Sequence, residues 1–160
     1  MSYRYDKLCA ALARAVKRRL SEFNPQNAAN TAWACATVNY RDEKLFAALA
    51  LAAEWRLSKF NPQNVANTSW AFATVTYRHE MLFAALALAA ERRLNDFNPQ
   101  GVANTSWAFA TVNYRDETLF AALATMAERR LSEFNPQNVA NTAWAFACLL
   151  YTSPSPRDRG

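Results

Sequence analysis

Phe-Asn-Pro-Gln begins at Phe23, Phe60, Phe97 and Phe134, each copy 37 residues after the last, and no other feature of the chain constrains its fold so tightly. Asn-Thr-(Ala/Ser)-Trp-Ala follows at a constant offset and places Trp33, Trp70, Trp107 and Trp144. The register reaches upstream as well, where Leu8, Ala10, Ala11 and Leu12 match Leu45, Ala47, Ala48 and Leu49. One unit of this length cannot bury its own apolar face, so it must stack on copies of itself, and a fixed period in this range marks a solenoid. Two glycines in 160 residues, with alanine and leucine dominating, point to helix throughout. The expected fold is all-α, an α-solenoid of 37-residue helix-turn-helix repeats across residues 1–147, built as a half unit, three full units and a half unit.

The second full period predicts two helices per unit. Asn61 precedes Pro62 and is pushed out of the α region, which suits an N-cap, while proline at the first helical position forfeits no hydrogen bond. Phe60 and Val65 are spaced as a hydrophobic staple, repeated as Phe97/Val102 and Phe134/Val139. From Pro62 to about Val75, Val65, Ala66, Ser69, Trp70, Phe72 and Ala73 fall on the apolar side of a helical wheel; Gln63, Asn64, Asn67, Thr68 and Thr74 take the rest. This is helix A. After the connector Thr76-Tyr77-Arg78, Asp42 and Asp116 mark the N-cap of a second helix, B, which ends near Leu94 with arginines in its last turn. The order is helix B at about residues 5–20, three A–B pairs, and a terminal helix A at about 136–147.

The chain begins mid-period, because Met1 occupies the slot of Val38, Val75 and Val112, and it reads as part of a longer array. After Ala147 the period breaks, and residues 148–160 read as an adaptor-derived or disordered tail set aside from the fold. Without Arg157, Asp158 and Arg159 the formal charge falls from +5 to +4, mildly basic and far from a polycation. Cys9, Cys35 and Cys148 lack paired spacing, and Cys9 and Cys35 sit in slots that otherwise hold phenylalanine; they read as buried, reduced thiols. No apolar run approaches the ~20 residues needed to span a membrane.

No enzyme site emerges. His79 is the only histidine and occupies the slot of Asp42 and Asp116, which makes it a substitute cap or surface residue. No Cys/His/acid cluster has metal-ligand spacing, glycine is too scarce for a phosphate loop, and Glu54, Glu91 and Glu128 form a row without converging. No metal, cofactor or small-molecule substrate is expected.

What remains is polar side chains in register. Gln26, Gln63, Gln100 and Gln137 form one row, Asn30, Asn67, Asn104 and Asn141 a second, and Asn27, Asn64 and Asn138 a third that Gly101 interrupts. Carboxamides on one helical face can offer donors and acceptors to base edges, one unit per nucleotide. For the Asn30 row the competing reading is a structural ladder between helices; the Asn27 row is expected on the open side. Arg4, Arg41, Arg78 and Arg115 form a connector row suited to phosphate. Arg19, Arg56, Arg93 and Arg130, at the end of helix B, are also explained by the helix dipole.

The string Phe-Asn-Pro-Gln-Asn-Val-Ala-Asn-Thr-(Ala/Ser)-Trp-Ala-Phe-Ala, followed by Leu-Phe-x-Ala-Leu in a second helix, resembles the octotricopeptide repeats of algal organelle proteins. Similar repeats occur in relatives carrying an RNA-binding RAP domain and in FAST-kinase-like proteins. The resemblance covers residues 3–147 and is strongest over residues 62–71 and 99–108. It implies a paired-helix solenoid that binds single-stranded organellar RNA and supports its processing, stability or translation, in chloroplast or mitochondrion. The candidate RNA-binding residues are Gln26, Asn27, Asn30, Gln63, Asn64, Asn67, Gln100, Asn104, Gln137 and Asn138 of the amide rows, together with Arg41, Arg78 and Arg115. Near-identical units imply a preference for a repetitive base run. The rival is a protein-binding α-solenoid scaffold with no nucleic-acid role.

Overall fold

In the computed structural model, which describes residues 6–152, the period becomes a strict alternation of helices. They are α1 (Asp6–Arg18), α2 (Pro25–Thr37), α3 (Glu43–Arg56), α4 (Pro62–Thr74), α5 (Glu80–Arg93), α6 (Pro99–Thr111), α7 (Glu117–Arg130) and α8 (Pro136–Thr152). The even-numbered helices are A, the odd-numbered B, and no strand occurs among the described residues. Arg4, the side chain of Cys9 and the chain from Ser153 onward lie outside the described residues.

The helix starts follow the local chemistry. Asn24, Asn61 and Asn98 cap α2, α4 and α6, each with proline behind it in the first turn. Asp42 and Asp116 accept from Leu45 N–H and Leu119 N–H at 3.0 and 2.9 Å, and His79 stands in by accepting from Leu82 N–H through Nδ1 at 3.1 Å. Phe60 and Val65, like Phe97 and Val102, are buried together as a staple requires.

The two kinds of connector differ. From B to A the chain tightens into short 3-10 turns such as Leu57–Lys59 and Leu94–Asp96 before extending at the phenylalanine. From A to B it turns through left-handed backbone at Asn39, Thr76 and Asn113, with φ of 57°, 56° and 57°. The next slot in that series is Leu150, whose side chain disfavours positive φ. Lacking that stop, α8 runs on to Thr152, beyond the expected end near residue 147.

Successive A helices pack on one another far more extensively than successive B helices do, so the A layer lies on the inside of the curve. The core runs between the layers as a repeating aromatic seam. Phe46 meets Phe72 edge to face at 5.1 Å, Phe83 meets Phe109 at 5.2 Å, and Phe120 meets Phe146 at 5.6 Å. Cys35 occupies the phenylalanine slot of that seam in α2; it and Cys148 are half-buried, less enclosed than expected.

Candidate functional site

The two inner A helices, α4 and α6, are each enclosed on three sides, by two A neighbours and a B partner, and show solvent only a narrow stripe. In α4 that stripe is Gln63, Asn67, Trp70 and Thr74, while Val65, Ala66, Thr68, Ser69, Ala71, Phe72 and Ala73 are buried. Steps of four, three and four residues return to one face of a helix. At 1.5 Å per residue the stripe is about 16 Å long. Gln26–Asn30–Trp33–Thr37, Gln100–Asn104–Trp107–Thr111 and Gln137–Asn141–Trp144 repeat it along the array. None of the four A-helix segments that carry these residues contains Asp, Glu, Lys or Arg, so the groove floor is polar but uncharged.

Of the Asn27 row, Asn27 is exposed, but Asn64 and Asn138 are buried and not on the open side. Asn64 Oδ1 accepts from Asn61 N–H at 3.1 Å while Asn61 Oδ1 accepts from Asn64 N–H at 2.7 Å, a reciprocal capping box. Asn24/Asn27 and Asn135/Asn138 make the same pair, and Asn64 and Asn138 are buried by it. These carboxamides close helix ends, a role hidden in the sequence because the third helical position of a capping box usually carries Glu or Gln. Gly101 supplies only the N–H half, donating to Asn98 Oδ1 at 2.7 Å. A cavity of about 340 Å³ opens beside it between the first turns of α4 and α6, and Gln63, Asn67, Gln100 and Asn104 all line it.

The other two rows do face the groove. All four glutamines are exposed; Asn30 is exposed, and Asn67, Asn104 and Asn141 are half-buried. Among the described residues no hydrogen bond joins Asn30, Asn67 and Asn104 into an interhelical ladder, and Gln137 donates to Asn141 Oδ1 at 2.9 Å along its own helix.

The tryptophans correct the expected wheel. Assigned to the buried side by hydrophobicity, they stand on the open stripe: Trp33 and Trp144 are each 46% exposed, and Trp70 and Trp107 are half-buried. Ring centroids lie 6.3 Å apart for Trp33 and Trp70 and again for Trp107 and Trp144, with interplanar angles of 33° and 36°. Their spacing from the glutamine was the available signal, since residues seven apart share a helical face.

The connector arginines follow the C-terminal ends of the A helices and are held by short local contacts. Arg41 Nε donates to Asn39 Oδ1 at 2.7 Å, and Arg115 Nε to Asn113 Oδ1 at 2.9 Å with a second bond to the Leu149 carbonyl at 3.2 Å. Arg78 pairs with Glu80 at 2.9 Å and lies over the Tyr114 ring. A guanidinium carries five N–H donors, so one or two such bonds leave most of the fork available. The helix-end arginines are structural instead: Arg56, Arg93 and Arg130 each donate to a backbone carbonyl of the preceding connector, at Ser21, Phe60 and Phe97.

On the B layer, Glu54 Oε1 lies 3.5 Å from His79 Nδ1. That nitrogen can accept from Leu82 N–H or, once protonated, donate to Glu54, but not both. The equivalent Glu91 is raised above the usual carboxylate range by burial and, secondarily, by the charge of Asp116. Among the described residues no group of three His, Cys, Asp or Glu could hold a metal ion, and no helix is long and apolar enough to cross a membrane.

Stacked A–B hairpins with an uncharged, amide-lined inner groove define an all-α helical-repeat protein of the solenoid class. A family model for RNA-editing substrate-binding complex 6 protein matches residues 1–156, and the chain belongs to that family. The likeness to octotricopeptide repeats holds at the level of helical-repeat architecture; the family shown is a different one. None of the curated proteins matches the chain.

Proposed function

We propose that this chain binds single-stranded RNA along its inner groove as a non-catalytic module, within an assembly that handles RNA-editing substrates. The observation that carries the reading is the stripe of carboxamides and indoles repeated on four successive A helices without a single charge, flanked by the connector arginines. An uncharged polar floor suits bases, whose edges need donors and acceptors, while the phosphates are left to Arg41, Arg78 and Arg115 in the connectors. Membership of the family of RNA-editing substrate-binding complex 6 protein supports the same reading. Because the stripe is nearly identical in every unit, a repetitive base run is the expected target.

Filter binding with the four RNA homopolymers tests this. Retention should differ between homopolymers, and affinity should fall with salt at a log–log slope of about −2, as three phosphate contacts on a single strand require. Equal, salt-insensitive retention of all four would defeat the reading.

A protein partner is favoured on the opposite surface. Leu51 and Trp55 on α3, with Met81 and Leu88 on α5, stand exposed on the outer B layer, and Trp55 is 66% exposed. Apolar side chains grouped there suit docking within a complex and do not compete with RNA in the groove.

A further inference from the structure

Six phenylalanines of the interlayer core, Phe46, Phe60, Phe72, Phe83, Phe97 and Phe109, are each less than 2% exposed. The period thus knows how to bury a ring, yet in every unit it places tryptophan on the open stripe. Each indole follows an asparagine by three residues and a glutamine by seven, so a flat apolar surface and two carboxamides share one face. The rings of Trp33 and Trp70, and of Trp107 and Trp144, are close without stacking flat on each other. Trp33 and Trp144, on the two end A helices, are 46% exposed, while Trp70 and Trp107 touch the core with one side and are half-buried.

We propose that Trp33, Trp70, Trp107 and Trp144 form a base-stacking platform, each indole receiving the flat face of one nucleobase while the adjacent asparagine and glutamine meet its edge. This rests on the RNA-binding reading and adds the surface that carries the bases. Stacking accepts any base because every base has a π-face, so the rings supply affinity and the carboxamides supply preference. Peptides are a poorer match, since the A helices offer no charge to pair with a peptide's side chains or termini. Phosphates are excluded from the floor for the same reason, which turns the strand with its bases inward.

The fifth tryptophan makes the test clean. Trp55 lies on the outer face of α3, remote from the groove stripe, and serves as an internal control. The complete chain would be titrated with oligoadenylate, oligouridylate and oligocytidylate of equal length while tryptophan emission is followed. Emission should be quenched equally well in Trp55→Leu. Trp70→Leu/Trp107→Leu should weaken binding, by roughly fivefold to more than a hundredfold per lost ring. Trp70→Tyr/Trp107→Tyr, which keeps an aromatic face and protects the test against misfolding of the leucine variant, should recover most of the affinity. RNA retained with unchanged affinity by a folded leucine variant, or weakened equally by leucine and tyrosine, would overturn the platform and leave the RNA reading standing. Failure of the unaltered chain to bind any of the oligonucleotides would overturn both.

Discussion

Arg93 donates through Nη1 to the carbonyl oxygen of Phe60 at 2.8 Å, clasping the end of α5 to the connector that opens α4. Arg56 and Arg130 repeat the clasp one period earlier and later. Helix-dipole matching alone would leave these guanidinia in solvent; instead each one ties a unit to the unit before it. Arg93→Ala should lower the free energy of unfolding by about 1.5–3 kcal/mol, the range for a hydrogen bond involving a charged group. Urea unfolding would show it. RNA affinity measured alongside should be unchanged, because Arg93 is not on the groove.

Thr76 holds φ of 56° where its counterparts are Asn39 and Asn113. A β-branched residue is strained there, whereas asparagine tolerates left-handed backbone. Thr76→Asn should stabilise the chain by about 0.5–1 kcal/mol, read as a higher melting temperature. The new carboxamide should also draw Arg78 away from Glu80 into the bond that Arg41 and Arg115 already make.

Phe72 is fully buried and Trp70 is only half-buried, although hydrophobicity alone puts both in the core. Phe72→Ala should cost about 3–5 kcal/mol. Trp70→Ala should cost about 1–2 kcal/mol, in keeping with partial removal of its surface from water. Equal losses in chemical denaturation would mean that the indole is a core anchor.

Glu91 is held above the ordinary carboxylate range first by burial and then by Asp116. A raised folded value means that the native state binds more protons than the unfolded chain does. This contribution to stability is therefore complete below the ordinary glutamate range and is lost as pH rises through the folded value. Asp116→Asn keeps an acceptor for Leu119 N–H and removes the charge. Glu91 should then titrate lower, yet still above an ordinary glutamate because burial persists. Carboxyl NMR titration of Glu91 reads this directly, and an unmoved titration would contradict the assignment to Asp116.

The repeat, its helix boundaries and most caps were legible because they depend on local chemistry: asparagine before proline, aspartate before glutamate, His79 in an aspartate slot. The site was legible only in part. Gln63 and Asn67 fall on the open face by helical spacing alone, but Trp70 was drawn inward by its hydrophobicity and Thr68 outward by its hydroxyl. Both shifts arise because a helix with three packed neighbours buries far more than half its circumference, a property of the stack and not of any one unit. Asn64 was misplaced for another reason, since its polarity suggested solvent and its bond to Asn61 N–H is invisible without backbone geometry. The arginine clasps span 33 to 35 residues, beyond the reach of any pattern within one helix.

The middle of the groove floor has a consequence for conditions in solution. α4 and α6 contain no titratable side chain, so their surface keeps a single protonation state from mild acid to strong alkali. Any sensitivity of ligand capture to acidity must then enter from the flanking connectors or from the ligand itself.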